Sequence, residues 1–184
     1  TPKHIARAFS LLFSFIPFRV KKLFNKKLQI LIEVLQQSNE YQCILYDGFS
    51  ALQYANRNSP RNIYIEDEDI TDLMNRRLQS SKNIFLKLFY LIEYWKCRRY
   101  ERKSLKYIQT IWAISPNTQK RLQTLTSKKI RVIPTIVEQQ ENIYSPQNQN
   151  IVFSGLLSWP ENKNGLQWFF EHHWQKILNH SPKT

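Results

Sequence analysis

Short apolar runs alternate with longer segments of helical period along this chain. Gln42-Cys43-Ile44-Leu45-Tyr46 reads as a buried strand closed by the turn pair Asp47-Gly48, and a short helix follows from Phe49 to Ala55. Asn62-Ile63-Tyr64-Ile65 reads as the next strand and runs into an acidic stretch, Glu66-Asp67-Glu68-Asp69, that opens a helix. Asp69 or Thr71 is suited to cap it, because side-chain oxygens satisfy the unpaired N–H groups of a first turn. Ile84 to Tyr107 is long, aromatic and basic, and Leu105 and Ile108 extend its apolar stripe. Ile111 to Ser115 is a strand, Pro116 to Leu125 a polar helix with Ser115 as its cap, and Ile130 to Pro134 a further strand. After a spacer rich in Gln, Asn and Pro, Ile151-Val152-Phe153-Ser154-Gly155 reads as a strand that opens a strand-turn-helix unit. Strands alternating with helices build parallel sheets, and ligands of such sheets sit at the carboxyl ends of the strands.

The amino-terminal pattern differs. Ala8 to Phe18 is apolar for about 11 residues, where a membrane span needs roughly 20. From Arg19 the period is helical: Val20, Leu23, Phe24, Leu28, Leu31 and Leu35 fall on one stripe, with Lys21, Lys22, Asn25 and Lys26 largely off it. Two readings stand: a core-facing helix with a solvated basic side, or an interfacial helix drawn to anionic lipid.

Composition narrows the chemistry. The chain has 184 residues, 42% hydrophobic and 14% aromatic, which is globular rather than disordered. Only three glycines occur, so no Gly-rich phosphate loop is available. A formal charge of +13 calls for an anionic partner: a membrane surface, nucleic acid or a phosphorylated substrate. Lys96, Arg98, Arg99, Arg102 and Lys103 cluster beside Phe89, Tyr90, Tyr94 and Trp95. That mixture is either a solvated face, a headgroup-level surface, or a stacking site for single-stranded nucleic acid. Location favours membrane or phosphate, and no nucleic acid is expected. Cys43 and Cys97 lack metal or redox spacing and read as reduced thiols. His172 and His173 are adjacent on a helix, pointing about 100° apart, which is wrong for joint metal ligation. No metal is expected. Trp112, Trp159 and Trp168 read as core.

Two passages resemble glycosyltransferase family 4, the group 1 glycosyltransferases. The first is Tyr100-Glu101, Leu105, the strand Ile111 to Ser115, Leu122, and Ile130-Arg131-Val132-Ile133-Pro134. It is similar to the family's Y-E-x-x-x-L … V-x-x-x-S … L … V-x-V-I-P-N-G-V-D. The second is Phe153 to Asn162 with Gly155, Trp159, Gly165, Trp168-Phe169 and Trp174. It is similar to the family's F-x-G-x-x-x-W-x-x-N … W-F … W. The family's Pro-Asn-Gly-Val-Asp is replaced here by Pro134-Thr135-Ile136-Val137-Glu138, Gln109 stands near its Asp, and the acidic run contains no His.

The resemblance implies an α/β fold of GT-B type: a partial, Rossmann-like amino-terminal domain over residues 1–137, a linker over 138–150, and the first β-α unit of a second Rossmann-like domain over 151–184. It implies a retaining transferase that moves a sugar from a nucleotide-sugar to a glycan or lipid-linked acceptor in cell-surface polysaccharide synthesis, with no cofactor. Acceptor-side candidates are Asp47, Gly48, Glu66, Asp67, Glu68 and Asp69. Donor-phosphate candidates are Gly155, Leu156, Asn162 and Lys163. For Gly155 close strand–helix packing is the competing explanation. The family's Gly-rich acceptor loop would precede Thr1, and its Arg/Lys pair and Glu-x7-Glu motif would follow Thr184, so the 184 residues alone are expected not to turn over. Cytoplasmic placement at an anionic membrane surface is expected. The reading of a different class is a non-catalytic basic α/β module that binds a membrane or nucleic acid.

Overall fold

The computed structural model describes residues 14–37, 41–55, 61–136 and 150–180, which fall into two compact units, Thr1–Ile136 and Val137–Thr184. The first unit holds a parallel four-stranded sheet in the order β1 (Ile44–Asp47), β2 (Asn62–Glu66), β3 (Thr110–Ala113), β4 (Ile130–Val132). Helices α1 (Phe18–Leu23) and α2 (Lys26–Gln37) precede it. A 3₁₀ turn at Ala51–Tyr54 follows β1, α3 (Ile70–Ser80) and α4 (Ile84–Ser104) join β2 to β3, and α5 (Pro116–Gln123) joins β3 to β4. The fold is α/β and Rossmann-like.

Register decides which side chains enter the core. Tyr46, Tyr64, Ile111 and Ile130 stand opposite one another in a row across the sheet, and all are buried. Leu52, Leu105, Ile108, Leu122 and Leu125 pack on that row from the connecting segments. Every described crossover thus covers the same face, as right-handed connections in a sheet without reversal of strand order require. The opposite face carries Leu45, Ile63, Ile65, Trp112 and Arg131, of which Ile63 alone is buried. A second cluster of Val20, Phe49, Ile70 and Cys97 ties α1 and the turn after β1 to α3 and α4. There burial pushes the Cys97 thiol up to about 12.

Local chemistry sets the element ends. Asp69 caps α3 by accepting the Asp72 N–H at 2.8 Å, and Ser115 caps α5 by accepting that of Thr118 at 3.1 Å. Thr71, the other cap candidate, instead donates to Glu101 at 2.9 Å. Asn83 accepts from Phe85 and Leu86 to start α4. Beyond the far end Lys128 Nζ donates to the carbonyls of Leu105, Lys106 and Ile108, tying the turn that follows α4 to the loop before β4.

Four expectations are corrected. The amino-terminal helical stripe is two helices, because Phe24 is extended and Asn25 accepts from the N–H groups of Lys27 and Leu28, starting a new first turn. Of that stripe only Val20 is buried; α2 buries nothing, so the core-facing reading fails for Leu28, Leu31 and Leu35. In the second unit, Ile151 to Ser154 form no strand, so the β-α opening of a second sheet is not observed. Among the described residues of that unit there is no second strand to accept its backbone hydrogen bonds. The unit consists of that loop and a continuous helical run: α6 (Pro160–Phe169), a π turn (Phe170–Trp174) and α7 (Gln175–His180). Trp159 and Trp168 are about half exposed, and Trp112 is half-buried on the open sheet face, so none sits in the core. The expected linker lies almost entirely outside the described residues.

Candidate functional site

The carboxyl ends of β1 and β2 come together, and they carry every acceptor-side candidate. Gly48 leaves β1 with φ +78°, a conformation that L side chains resist, and its N–H bonds to the Ile65 carbonyl at 3.0 Å. A methyl group on Gly48 would stand 3.2 Å from Asp67 Oδ1, so the two turns touch directly.

The acidic run divides by environment. Glu66 is fully buried, accepts from the Tyr64 hydroxyl, and leaves its Oε1 without a hydrogen-bond partner. Glu68 pairs with Arg19 of α1. Asp69 caps α3 and also accepts from Arg121 Nε. Asp47 and Asp67 are exposed, and among the described residues no cation pairs with either.

Arg121, on α5, organises the floor beneath these turns. Its Nη1 and Nη2 donate to Glu101 of α4 at 2.8 and 2.9 Å, a bidentate fork, and its Nη2 lies 3.8 Å from Glu66. One cation therefore serves Glu66, Asp69 and Glu101. Burial, with the Glu101 charge beside it, holds the Glu66 carboxyl well above the ordinary carboxylate range. Burial likewise raises the Tyr64 phenol. With its donors spent on carboxylates, Arg121 is a structural clamp rather than an anion site. The chemistry left facing outward is the pair Asp47 and Asp67, acceptor-only groups suited to hydroxyl donors.

The sequence pattern puts Glu101 in a motif, Tyr64 in a strand and Thr71 among the cap candidates, and gives Arg121 no role. A signal existed: Thr118, Leu122 and Leu125 form the buried stripe of α5 and its trailing turn, and Arg121 stands beside it.

The donor-phosphate candidates lie in the second unit. A methyl group on Gly155 would meet the Phe153 ring at 2.9 Å and the Asn162 amide at 3.0 Å, and Asn162 Nδ2 donates to the Leu156 carbonyl at 3.1 Å. Gly155, Leu156 and Asn162 thus form one closed turn at the start of α6. That supports the packing explanation for Gly155, with α6 rather than a strand as the partner. Lys163 is exposed, its N–H bonded to the Trp159 carbonyl at 3.1 Å. Among the described residues no group of His, Cys, Asp and Glu is placed to hold a metal ion.

The class these features define is an α/β protein with a parallel, Rossmann-like sheet and a carboxylate-lined turn pair at its carboxyl edge. The chain matches no family model, no curated protein and no solved structure.

Proposed function

We propose that the chain is the acceptor-side portion and first donor-side segment of a GT-B, family 4-like glycosyltransferase. On this reading it moves a sugar from a nucleotide-sugar to a glycan or lipid-linked acceptor, with retention. The observation that carries the reading is the contact between the Gly48 turn and Asp67 at the carboxyl ends of β1 and β2. Support comes from Asp47 and Asp67, which pair with no cation among the described residues and follow strand ends of the kind at which parallel sheets bind ligands; a sugar's hydroxyls are the donors such groups accept. The sheet order adds support. A doubly wound sheet reverses direction at a switch point, and each half then proceeds without reversal, as β1 to β4 do. The crevice would open beside β1, next to Asp47.

Transfer also needs a positioned nucleophile and compensation of the departing diphosphate. Asp47 and Asp67 serve the first by orienting the acceptor. By the resemblance, compensation of the diphosphate falls to the donor-side segment, where Lys163 is an exposed cation in the first turn of α6.

The test is a thermal-shift titration of the full-length protein with UDP-, GDP- and ADP-sugars, followed by a transfer assay with the one that stabilises. Selective stabilisation, with Asp47→Asn and Asp67→Asn lowering transfer about tenfold or more without moving the melting temperature, supports the reading. No stabilisation by any of them, or transfer indifferent to both substitutions, would sink it. The exposed apolar face of α4 favours membrane binding as well.

A further inference from the structure

The longest helix of the first unit presents a surface that the sheet does not use. Ile84, Leu88, Leu91 and Trp95 recur at three- and four-residue spacing on α4 and are 70%, 55%, 39% and 61% exposed. The same stripe continues into Arg102, with Lys103 beside it, both exposed. The helix is thus apolar for about 16 Å and cationic for the next 10 Å or so, at a rise of about 1.5 Å per residue. Its acidic side chains do not dilute that charge. Glu93 is buried, bonded to Lys96 Nζ at 3.0 Å and to the Phe18 N–H at 2.8 Å, and Glu101 is buried in the Arg121 fork. Lys87 interrupts the apolar turns only by its head group, which a long stem carries to the rim.

We propose that α4 docks the protein flat on an anionic bilayer. Ile84, Leu88 and Leu91 enter the acyl boundary, Trp95 sits at headgroup level, and Arg102 and Lys103 pair with lipid phosphates. The occupant follows from the order of chemistry along one stripe. A protein groove would need an apolar cavity that ends in acidic residues. A bilayer offers apolar depth beneath phosphate everywhere, and places Trp at the level between them. Surface docking rather than spanning is required, because no described helix is long and apolar enough to cross a membrane. This assignment is independent of the sugar-transfer reading, and the two fail separately.

The experiment is co-sedimentation of the full chain with phosphatidylglycerol-containing vesicles and with pure phosphatidylcholine vesicles, together with quenching of tryptophan emission by brominated lipid. Binding to the anionic vesicles that weakens with salt is expected, with quenching that Trp95→Phe largely removes. Leu88→Glu/Leu91→Glu, at exposed positions that the core does not need, should lower binding at least tenfold. Arg102→Glu/Lys103→Glu should lower it similarly, since each basic residue near such a surface is worth roughly fivefold. Failure to sediment with anionic vesicles would overturn the proposal. So would binding unchanged by the Leu88/Leu91 pair, quenching retained in Trp95→Phe, or a stripe that alters self-association alone.

Discussion

Burial beside Glu101 opposes the ionised form of Glu66 and outweighs the Arg121 charge, which favours it. A carboxyl whose pKa rises on folding contributes full stability below its unfolded value, and that contribution is lost as pH rises toward the folded value. Glu66→Gln keeps the acceptor for the Tyr64 hydroxyl and removes the charge. Its free energy of unfolding, from denaturant titrations, should match the parent's near pH 4 and exceed it near pH 8. Equal free energies at both pH values would show that Glu66 ionises without penalty. Arg121→Ala strands the buried Glu101 and the half-buried Asp69 together, and urea unfolding should show a loss of about 3–5 kcal/mol. Asp69 was legible in the sequence as one of two cap candidates, because a cap acts within one turn of its own residue. Arg121 was not, because its partners lie 20 and 52 positions away.

At the scale of elements, apolar runs marked β1 to β4 closely, while Ile151 to Ser154 carry an equally apolar pattern and form no strand. Strand character in a sequence reports a side chain that fits a sheet, not the presence of a neighbour to accept its hydrogen bonds. Amide hydrogen exchange separates the two cases. Tyr64 and Ile111, each flanked by paired strands, should exchange slowest, and the amides of Ile151 to Ser154 near the intrinsic rate. Slow exchange at Ile151 to Ser154 would reveal a pairing strand outside the described residues. The amino-terminal stripe carries the same lesson for helices. Period marked α1 and α2, yet which of the stripe's positions are buried depended on the surfaces that met, and in α2 Leu28, Leu31 and Leu35 stay exposed.

For the molecule as a whole, charge is sorted by depth. Glu66, Glu93 and Glu101 are buried while Arg99, Arg102 and Lys103 are exposed, so the surface of α4 is more basic than the formal +13 of the chain suggests. Binding to anionic vesicles tests the proposal for this surface, and the transfer rates of Asp47→Asn and Asp67→Asn test the one for the β1–β2 turn pair. The sequence alone determined the alternation of strands and helices from β1 to β4, the cap at Ser115, the choice of Asp69 or Thr71 for α3, and the turn at Gly48, because each depends on residues within a few positions of one another. Only the tertiary structure decided that Arg121 gathers three carboxylates, that the helices cover one sheet face, and that α4 keeps an apolar stripe in the open. Those outcomes depend on which distant surfaces meet, and periodicity carries no record of the surface on the other side.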